Sequence, residues 1–449
     1  MTRPVIDVDQ RPNLSTWFPL SFQHVFAMFG ATVLVPLLTG LSPATALFTS
    51  GIGTLLFVLI TGGKVPAYLG SSFAFIAPLI SVTASYGLPY AMGGAVAVGL
   101  FYTLVGLIIS RTGTGWLDRI LPPVVIGSVI IVIGLNLAPT AMNMAMYTNA
   151  DPSAGYNLSF VIIAAVTLGI AIVSSIVLKG FFTVIPVLIG IVGGYLFTLI
   201  MGRFFPSFDI ISFEAVTAAP WFGLPTFVLP RFGIVPVLTF VLVSFATIAE
   251  HLGDVLVMGK VTGRDFYKNP GLHRTLAGDG LATSLAALFG GPPNTTYGEN
   301  VGVLAITRVF SVWVTAGAAV IAVVLSMVQK FGALIQTIPT PVMGGISMML
   351  FGIISSSGIR TVVESGVDYT CKRNLTITSV VLVIGIGGGK LMFPITSELT
   401  FQLANVALAT LIGILLNLVL PRTIDSGKNG KGASGSGADK PSVEHAAEK

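Results

Sequence analysis

The stretch that decides the fold is "PPNTTYGENVGVLAITR", residues 292–308. It places two prolines, a run of small polar residues and Glu299 between long apolar segments of a chain that is 53% hydrophobic and only 9% charged. Backbone of this kind lacks the hydrogen bonds of a continuous helix. Inside a bilayer it persists only where it is buried in protein or lines a cavity. The stretch therefore predicts a membrane helix that is interrupted at a functional site.

The composition of the chain supports a membrane protein. A mean hydropathy of +0.91 over 449 residues excludes an ordinary soluble domain, in which about a quarter of the residues would be charged. Apolar runs long enough to cross a hydrocarbon core of about 30 Å recur from Pro19 to Leu420. A β-barrel would instead show short segments of alternating hydrophobicity. We therefore predict an all-α polytopic membrane protein. The first eighteen residues lack the pattern of a removable signal peptide.

About fourteen transmembrane segments are predicted. They lie at 19–38, 43–62, 68–84 (broken), 90–110, 122–142, 157–178, 182–202, 233–257, 272–290, 293–306 (broken), 309–329, 338–357, 374–389 and 399–420. With the N-terminus inside, fourteen Lys and Arg residues fall in inner loops and four in outer loops. This is the bias of cytoplasmic loops. The sequence thus predicts a multi-pass protein of the cell (inner) membrane with both termini cytoplasmic, and the positive net charge indicates topology, not nucleic-acid binding.

The two halves of the chain repeat each other. "GIGTLLFVLITGGKVPAYLGSS" from Gly51 is similar to "GDGLATSLAALFGGPPNTTYGE" from Gly278, and "PPVVIGSV" from Pro122 is similar to "PTPVMGGI" from Pro339. Seven segments per half is an odd number, so the two copies have opposite orientations. Inverted repeats with proline- and glycine-broken segments at matching positions are typical of secondary transporters, whose binding site lies at the breaks. We expect the breaks to be two short extended strands that face each other and offer main-chain groups to a polar ligand. The alternative is two re-entrant loops that only close a gap between helices.

Four of the eighteen Asp and Glu residues lie within the predicted segments, namely Glu250, Asp254, Asp279 and Glu299. A charge at the bilayer centre costs about 2.5–3.5 kcal/mol or more and indicates function. Glu250 and Asp254 are four residues apart and share a helix face. Asp254 has the alternative of reaching water, and Asp279 that of accepting backbone hydrogen bonds. His24 is as much a hydrogen-bonding partner as a candidate proton carrier. With Cys371 as the single cysteine, four histidines and no HExxH motif, we expect no metal site and no cofactor.

Three blocks carry a resemblance to a known family: "QHVFAMFGATVLVPLL" (23–38), "VPAYLGSSFAFIAP" (65–78) and "ENVGVLAITR" (299–308). The last is similar to a family signature, in which an acid, glutamine or proline precedes Asn-x-Gly-x4-Thr-Arg. Asn300, Gly302, Thr307 and Arg308 supply its fixed positions. From Pro19 to Leu420 the chain resembles the nucleobase–ascorbate (NCS2) family of nucleobase–cation symporters, and its uracil-carrying members in particular.

The resemblance implies two inverted repeats of seven segments that are divided between a core domain and a gate domain. The implied parts are 1–18 (cytoplasmic segment), 19–110 and 233–330 (core), 111–232 and 331–420 (gate), and 421–449, a Gly/Ser/Lys-rich tail that we predict to be disordered. It also implies that the carboxylates of Glu250 and Glu299 and the main chain at Phe73 and Gly298 bind substrate.

The expected function is import of uracil with protons by alternating access, in which Glu250, Asp254, His24 and Asp279 are the candidate proton-coupling residues. H⁺ is favoured over Na⁺, and a homodimer is left open. One position departs from the uracil-type pattern, because Asp254 stands where those carriers usually have histidine. Aspartate there, like Asp279, resembles the purine carriers, so a xanthine or other purine symporter is the alternative.

Other classes of membrane protein fit the sequence less well. An anion transporter of related architecture would not place two acids at its break points, and a channel would show a charged ring or a repeated filter motif. A membrane-embedded enzyme would need a nucleophile–base pair or a metal set, which one cysteine and four histidines do not provide. A purely structural or receptor role would leave the buried acids unexplained.

Overall fold

The computed structural model describes residues 5–394 and 400–421, and these residues are mostly helical. The helices are α1 (Leu14–Thr39), α2 (Pro43–Ile60), α3 (Ile76–Tyr86), α4 (Leu88–Thr112), α5 (Gly115–Ile120), α6 (Pro123–Asn136), α7 (Ala138–Met146), α8 (Leu158–Val177), α9 (Pro186–Phe204), α10 (Glu214–Ala218), α11 (Ile234–Thr262), α12 (Leu272–Leu288), α13 (Gly298–Thr307), α14 (Val312–Ser326), α15 (Gln329–Gln336), α16 (Thr340–Glu364), α17 (Lys372–Ile386) and α18 (Asn405–Val419). The strands are β1 (Leu69–Ser71), β2 (Asn294–Thr296), β3 (Lys390–Pro394) and β4 (Thr400–Ala404). Except for Pro421, the predicted tail lies outside the described residues.

The helices confirm the predicted polytopic class. Eight helical spans in the described ranges are long and apolar enough to cross a membrane, with α6 and α7 counted as one span, Pro123–Met146. Three shorter apolar helices accompany them at Phe73–Tyr86, Val312–Ser326 and Asn405–Val419. Each of the fourteen predicted segments contains a helix, which is compatible with fourteen crossings in two inverted repeats. Local sequence sets several of the ends. Pro43 follows the N-cap residue Ser42, whose Oγ accepts a hydrogen bond from a backbone N–H of the first turn, and α1 ends at Gly40 with a φ of 73°.

The two broken segments pair with each other, as predicted. β1 and β2 are antiparallel, and Gly70 lies opposite Thr295 at the centre of the pair. Each strand is supported by a threonine of a neighbouring helix. Thr54 of α2 accepts a hydrogen bond from the N–H of Leu69 and donates one to its carbonyl, and Thr283 of α12 donates to the carbonyl of Asn294. These side chains satisfy main-chain groups that a two-stranded pair leaves open, as buried backbone requires.

The helices pack in two groups. The first group contains α1–α4 and α11–α14, and the second contains α6–α9 and α16–α18. Each group has a crossing at which glycines face each other. A Cβ on Gly280 of α12 would lie 2.5 Å from the carbonyl oxygen of Gly99 in α4, and one on Gly358 of α16 would lie 2.7 Å from that of Gly127 in α6. Small residues therefore let the backbones approach closely, as in other membrane helix pairs. Helix α11 of the first group also contacts α6 and α18 of the second.

Two predicted segments differ from the structure. The segment predicted at 399–420 begins as a strand, because β3 and β4 pair in register from Lys390–Ala404 to Pro394–Thr400 before α18 starts at Asn405. The segment predicted at 122–142 is divided at Leu137 into α6 and α7. Pro139 lies in the first turn of α7, where its missing N–H costs nothing, and it cannot continue the hydrogen bonding of α6.

Candidate functional site

The site is built at the ends of the β1–β2 pair, where two helices begin. Phe73 starts a 3-10 turn that continues into α3, and Gly298 is the first residue of α13. The first-turn N–H groups of a helix have no acceptor within that helix, and the helix dipole makes this end electropositive. Glu299 lies in the first turn of α13 and is partly exposed. The broken segments therefore present main-chain donors beside a carboxylate.

Tyr297 fixes the entry to α13. Its backbone N–H donates to the carbonyl of Tyr68 at 3.0 Å. Its hydroxyl donates to the carbonyl of Ser71 at 3.2 Å and accepts from Oγ1 of Thr32 at 3.1 Å. The ring covers Gly70 so closely that a Cβ on this glycine would lie 2.5 Å from it. Tyr297, which precedes Gly298, is thus hydrogen-bonded to α1 and to the two ends of β1.

Two acids of α11 face the start of α13. Glu250 and Asp254 are one turn apart and partly buried. Oδ2 of Asp254 accepts a hydrogen bond from Oγ1 of Thr296 at 3.0 Å, and its Oδ1 would lie 3.6 Å from a Cβ placed on Gly298. Oε2 of Glu250 is buried and has no hydrogen-bond partner among the described residues. Because Glu250 is also within electrostatic range of Asp254, Glu299 and Asp279, the structure brings the four predicted acids together.

His24 is bound to the signature asparagine. It is 1% exposed in α1, and Nδ2 of Asn300 lies 3.0 Å from its Nδ1 and 3.3 Å from its carbonyl oxygen. An amide NH₂ group can only donate, so Nδ1 is the unprotonated ring nitrogen in this arrangement. The contact joins α1 to α13 directly behind Glu299.

Asp279, the fourth acid, lies against a histidine. Its Oδ2 is 2.9 Å from Nδ1 of His251, and both side chains are fully buried. Oδ1 of Asp279 and Nε2 of His251 have no hydrogen-bond partner in the part of the chain that the structure describes. One turn before His251, Thr247 is hydrogen-bonded to the hydroxyl of Tyr102 in α4. These polar side chains connect α4, α11 and α12 behind the acids. The sequence prediction did not pair His251 with Asp279.

The remaining signature residues shape the far end of α13. Oγ1 of Thr307 donates to the carbonyl of Val303 at 2.8 Å. Arg308 has a φ of 57°, and its carbonyl accepts a hydrogen bond from the N–H of Val5 at 2.9 Å. Gly302 is exposed, and a Cβ placed on it would meet nothing within 4 Å. The end of the signature therefore terminates the short helix and holds the N-terminal segment.

Phe73 joins the two helix groups. Its side chain is 6% exposed, and its ring lies edge-on to that of Phe351 in α16, with 5.8 Å between the ring centroids. The site thus lies in the first group and is closed on one side by an aromatic residue of the second.

These features define a multi-pass membrane permease with the broken-helix architecture of secondary transporters. The chain matches the family model Xan_ur_permease, described as "Permease family", over residues 15–392. It belongs to this family, the nucleobase–ascorbate (NCS2) permeases.

Relatives in this family match nearly the whole chain. The chain is 54% identical to the "Uracil permease" of Bacillus subtilis (strain 168), with 92% of this chain and 94% of that protein covered. It is 51% identical to the "Uracil permease" of Bacillus caldolyticus, with coverages of 96% and 98%. It is 45% identical to the "Uracil permease" of Escherichia coli (strain K12), with coverages of 93% and 94%.

Solved structures of low sequence identity share the fold. The transmembrane domain of the cyanobacterial bicarbonate transporter BicA superposes with a TM-score of 0.59 at 15% identity, covering 80% of this chain and 98% of that one. SLC26A9 superposes with a TM-score of 0.65 at 12% identity, covering 90% of this chain and 64% of that one. The architecture is therefore shared with a bicarbonate transporter, and the fold alone does not specify the substrate.

Proposed function

We propose that this protein imports uracil together with protons and is not an enzyme. The observation that carries the proposal is the convergence of Glu250 and Glu299 on the open first turn of α13, in a chain whose relatives are named uracil permeases. Uracil is a flat ring that carries two N–H donors and two carbonyl acceptors. A site that offers carboxylate acceptors beside main-chain donors matches both kinds of group.

The recognition chemistry follows from the donors and acceptors. The carboxyl groups of Glu250 and Glu299 accept hydrogen bonds from the ring N–H groups. The bond to the ionised Glu299 is charge-assisted, and such bonds are about twice as strong as neutral ones. The main-chain N–H groups at Phe73 and Gly298 donate to the ring carbonyls. A base that lacks one of these groups leaves a buried partner unpaired, which is the basis of strong discrimination. The ring of Phe73 covers one edge of the site.

The coupled proton is carried by the acid cluster. Glu250 has a buried oxygen without a hydrogen-bond partner among the described residues, so it is the first candidate, with Asp254 beside it. His24 and the pair formed by His251 and Asp279 are candidate relay groups. A membrane potential of about 100 mV supplies ~2.3 kcal/mol per charge and one pH unit ~1.4 kcal/mol. Together they support roughly 500-fold accumulation of a neutral base with one proton.

Alternating access uses the two helix groups. In this proposal the first group, at 19–110 and 233–330, is the core that holds the site, and the second group, at 111–232 and 331–420, is the gate. The contact between Phe73 and Phe351 is one point at which core and gate separate. The termini lie in the cytoplasm, in agreement with the distribution of Lys and Arg.

Asp254 favours one second candidate, a purine carrier of the same family. It is a carboxylate at a position where uracil carriers usually have histidine, and it accepts a hydrogen bond from Thr296. For a uracil carrier, this aspartate is a tolerated variation, because its Oδ2 already accepts a hydrogen bond from Thr296 of β2.

The experiment is uptake of labelled uracil into proteoliposomes with an imposed inward proton gradient, with unlabelled xanthine as competitor. The proposal expects accumulation that a protonophore abolishes and that xanthine leaves unchanged. Competition by xanthine, or no uptake of uracil, would support the purine alternative. Glu250→Gln tests the coupling, because full accumulation against a gradient by this variant would show that Glu250 is not the proton carrier.

A further inference from the structure

A cleft of about 250 Å³ lies between the two helix groups, away from the acids. One wall is formed by α3 and the first half of α11, and the other by the β3–β4 hairpin and the start of α18. Ligand sites occupy about 300–1,000 Å³ for drug-sized molecules, so this volume suits a smaller one. In the proposed topology the cleft opens on the external side. It lies where a substrate arrives before it reaches the proposed site.

Asn405 is the unsatisfied polar residue of this cleft. It lines the wall at the start of α18, and its Oδ1 is buried without a hydrogen-bond partner in the described ranges. Its φ is 49°, a conformation that asparagine adopts more readily than most residues. A buried acceptor without a donor costs about 1–3 kcal/mol. The residue as a whole is half-buried and lines the cleft.

The cleft leads to the proposed site. Ala74 lines it and directly follows Phe73 in the chain. The ring of Phe73 packs edge-on against Phe351, with 5.8 Å between the ring centroids, so an aromatic contact between the two helix groups lies next to the cleft.

We propose that this cleft is a second, weaker nucleobase site, in which the side-chain amide of Asn405 holds the base before it passes Phe73. The inference rests on the proposed function, because the ligand class is taken from it. A carboxamide presents one acceptor and two donors on one edge. The amide-like edge of a pyrimidine base presents an N–H beside a carbonyl, so the two edges form a complementary pair of hydrogen bonds. The unpaired Oδ1 then gains its donor.

The walls of the cleft suit a flat neutral ring. Val82, Val243 and Val406 line it together with small residues, and Ser85 and Thr239 add hydroxyl groups. Among the described residues that line the cleft, Lys390 is the one charged residue, and none is acidic. It therefore binds the base without a proton, whereas the acid site requires one.

The test uses a cysteine reporter in the full-length protein. In a Cys371→Ser background, Ser85→Cys places a thiol on the wall of the cleft, and Ser153→Cys places one on an exposed loop outside it as the matched control. A membrane-impermeant thiol reagent is added from outside, with and without uracil. The double change Glu250→Ala and Glu299→Ala removes the acid site from the measurement. Asn405→Gly keeps the positive φ and removes the amide, and Asn149→Gly is its control, since Asn149 has a φ of 55°.

The proposal expects uracil to slow labelling at Ser85→Cys even without the acid site. At ten times the dissociation constant of the cleft, the rate falls about tenfold. Adding Asn405→Gly abolishes the protection, whereas Asn149→Gly preserves it, and labelling at Ser153→Cys does not respond to uracil. The inference is overturned if protection disappears with the acid site, if it survives Asn405→Gly, or if external reagent does not reach Ser85→Cys. Failure of uracil uptake by the unmodified protein would instead overturn the proposed function.

Discussion

Replacing Gly70 by alanine tests how the paired strands hold the site. Gly70 is the central residue of β1, and its φ does not lie in the positive region, so its backbone accepts alanine. The new Cβ would lie 2.5–2.6 Å from two ring carbons and the hydroxyl oxygen of Tyr297. Real Cβ atoms do not approach other atoms this closely, so the ring must move.

The size of the effect follows from what holds the ring. Overpacking a well-packed interior costs about 1–3 kcal/mol. A displaced Tyr297 also weakens its hydrogen bonds to Ser71 and Thr32, each worth about 1 kcal/mol. Alanine offsets about 0.4–1 kcal/mol of this loss, because it lowers the conformational entropy of the unfolded chain. We expect a net loss of about 2–4 kcal/mol in the free energy of unfolding.

The assay combines stability with transport. Thermal unfolding of the purified protein in detergent should give a lower midpoint for Gly70→Ala, and uracil uptake should fall because Tyr297 directly precedes Gly298. Gly169→Ala is the matched control, since a Cβ on Gly169 would meet nothing within 4 Å. A Gly70→Ala protein with the unfolding midpoint and uptake of the unchanged protein would refute the view that Tyr297 is fixed by the strand pair.

Three further substitutions test individual contacts. Thr296→Val removes the hydrogen bond to Asp254 and should weaken uracil binding about fivefold, for a loss of ~1 kcal/mol. Titration calorimetry measures this affinity, and an unchanged value would contradict the prediction. Asn300→Ala removes both contacts to His24 and should cost about 1–2 kcal/mol of stability, measured as a lower unfolding midpoint; an unchanged midpoint counts against a structural role for this pair. Gly302→Ala enters open space, so the unfolding midpoint should stay the same or rise. A clear decrease would show that this glycine is needed for packing.

The helical class and the pairing of the broken segments were predictable from local sequence. Long apolar runs report membrane helices because a bilayer admits few other structures. Pro292 and Pro293 interrupt one such run, and the repeat from Gly51 to Gly278 indicated the segment that faces it. The strand pair β1–β2 confirms this prediction. The convergence of Glu250 and Asp254 followed from their spacing on one helix.

Contacts between distant segments were not predictable in the same way. The pairing of His251 with Asp279 depends on how α11 packs against α12, and no local pattern reports that rotation. The β3–β4 hairpin was missed because "TFQLA" at 400–404 is apolar and short, and a short apolar run does not distinguish a strand from the start of a helix. The hairpin forms part of the wall of the cleft beside Asn405, so the cleft was not predictable from the sequence either.

Binding of labelled uracil to the purified protein and to its Glu299→Gln variant tests the central claim most directly. Glutamine keeps the shape of the side chain and removes its charge, so a charge-assisted hydrogen bond becomes a neutral one. The proposed site predicts that Glu299→Gln loses about 1–2 kcal/mol of binding free energy, which is roughly 5–30-fold in affinity. The control is Glu364→Gln, at an exposed residue that forms ion pairs with Lys260 and Arg360, and it should leave the affinity unchanged. Equal affinity of the Glu299→Gln variant and the unchanged protein would place the uracil site elsewhere.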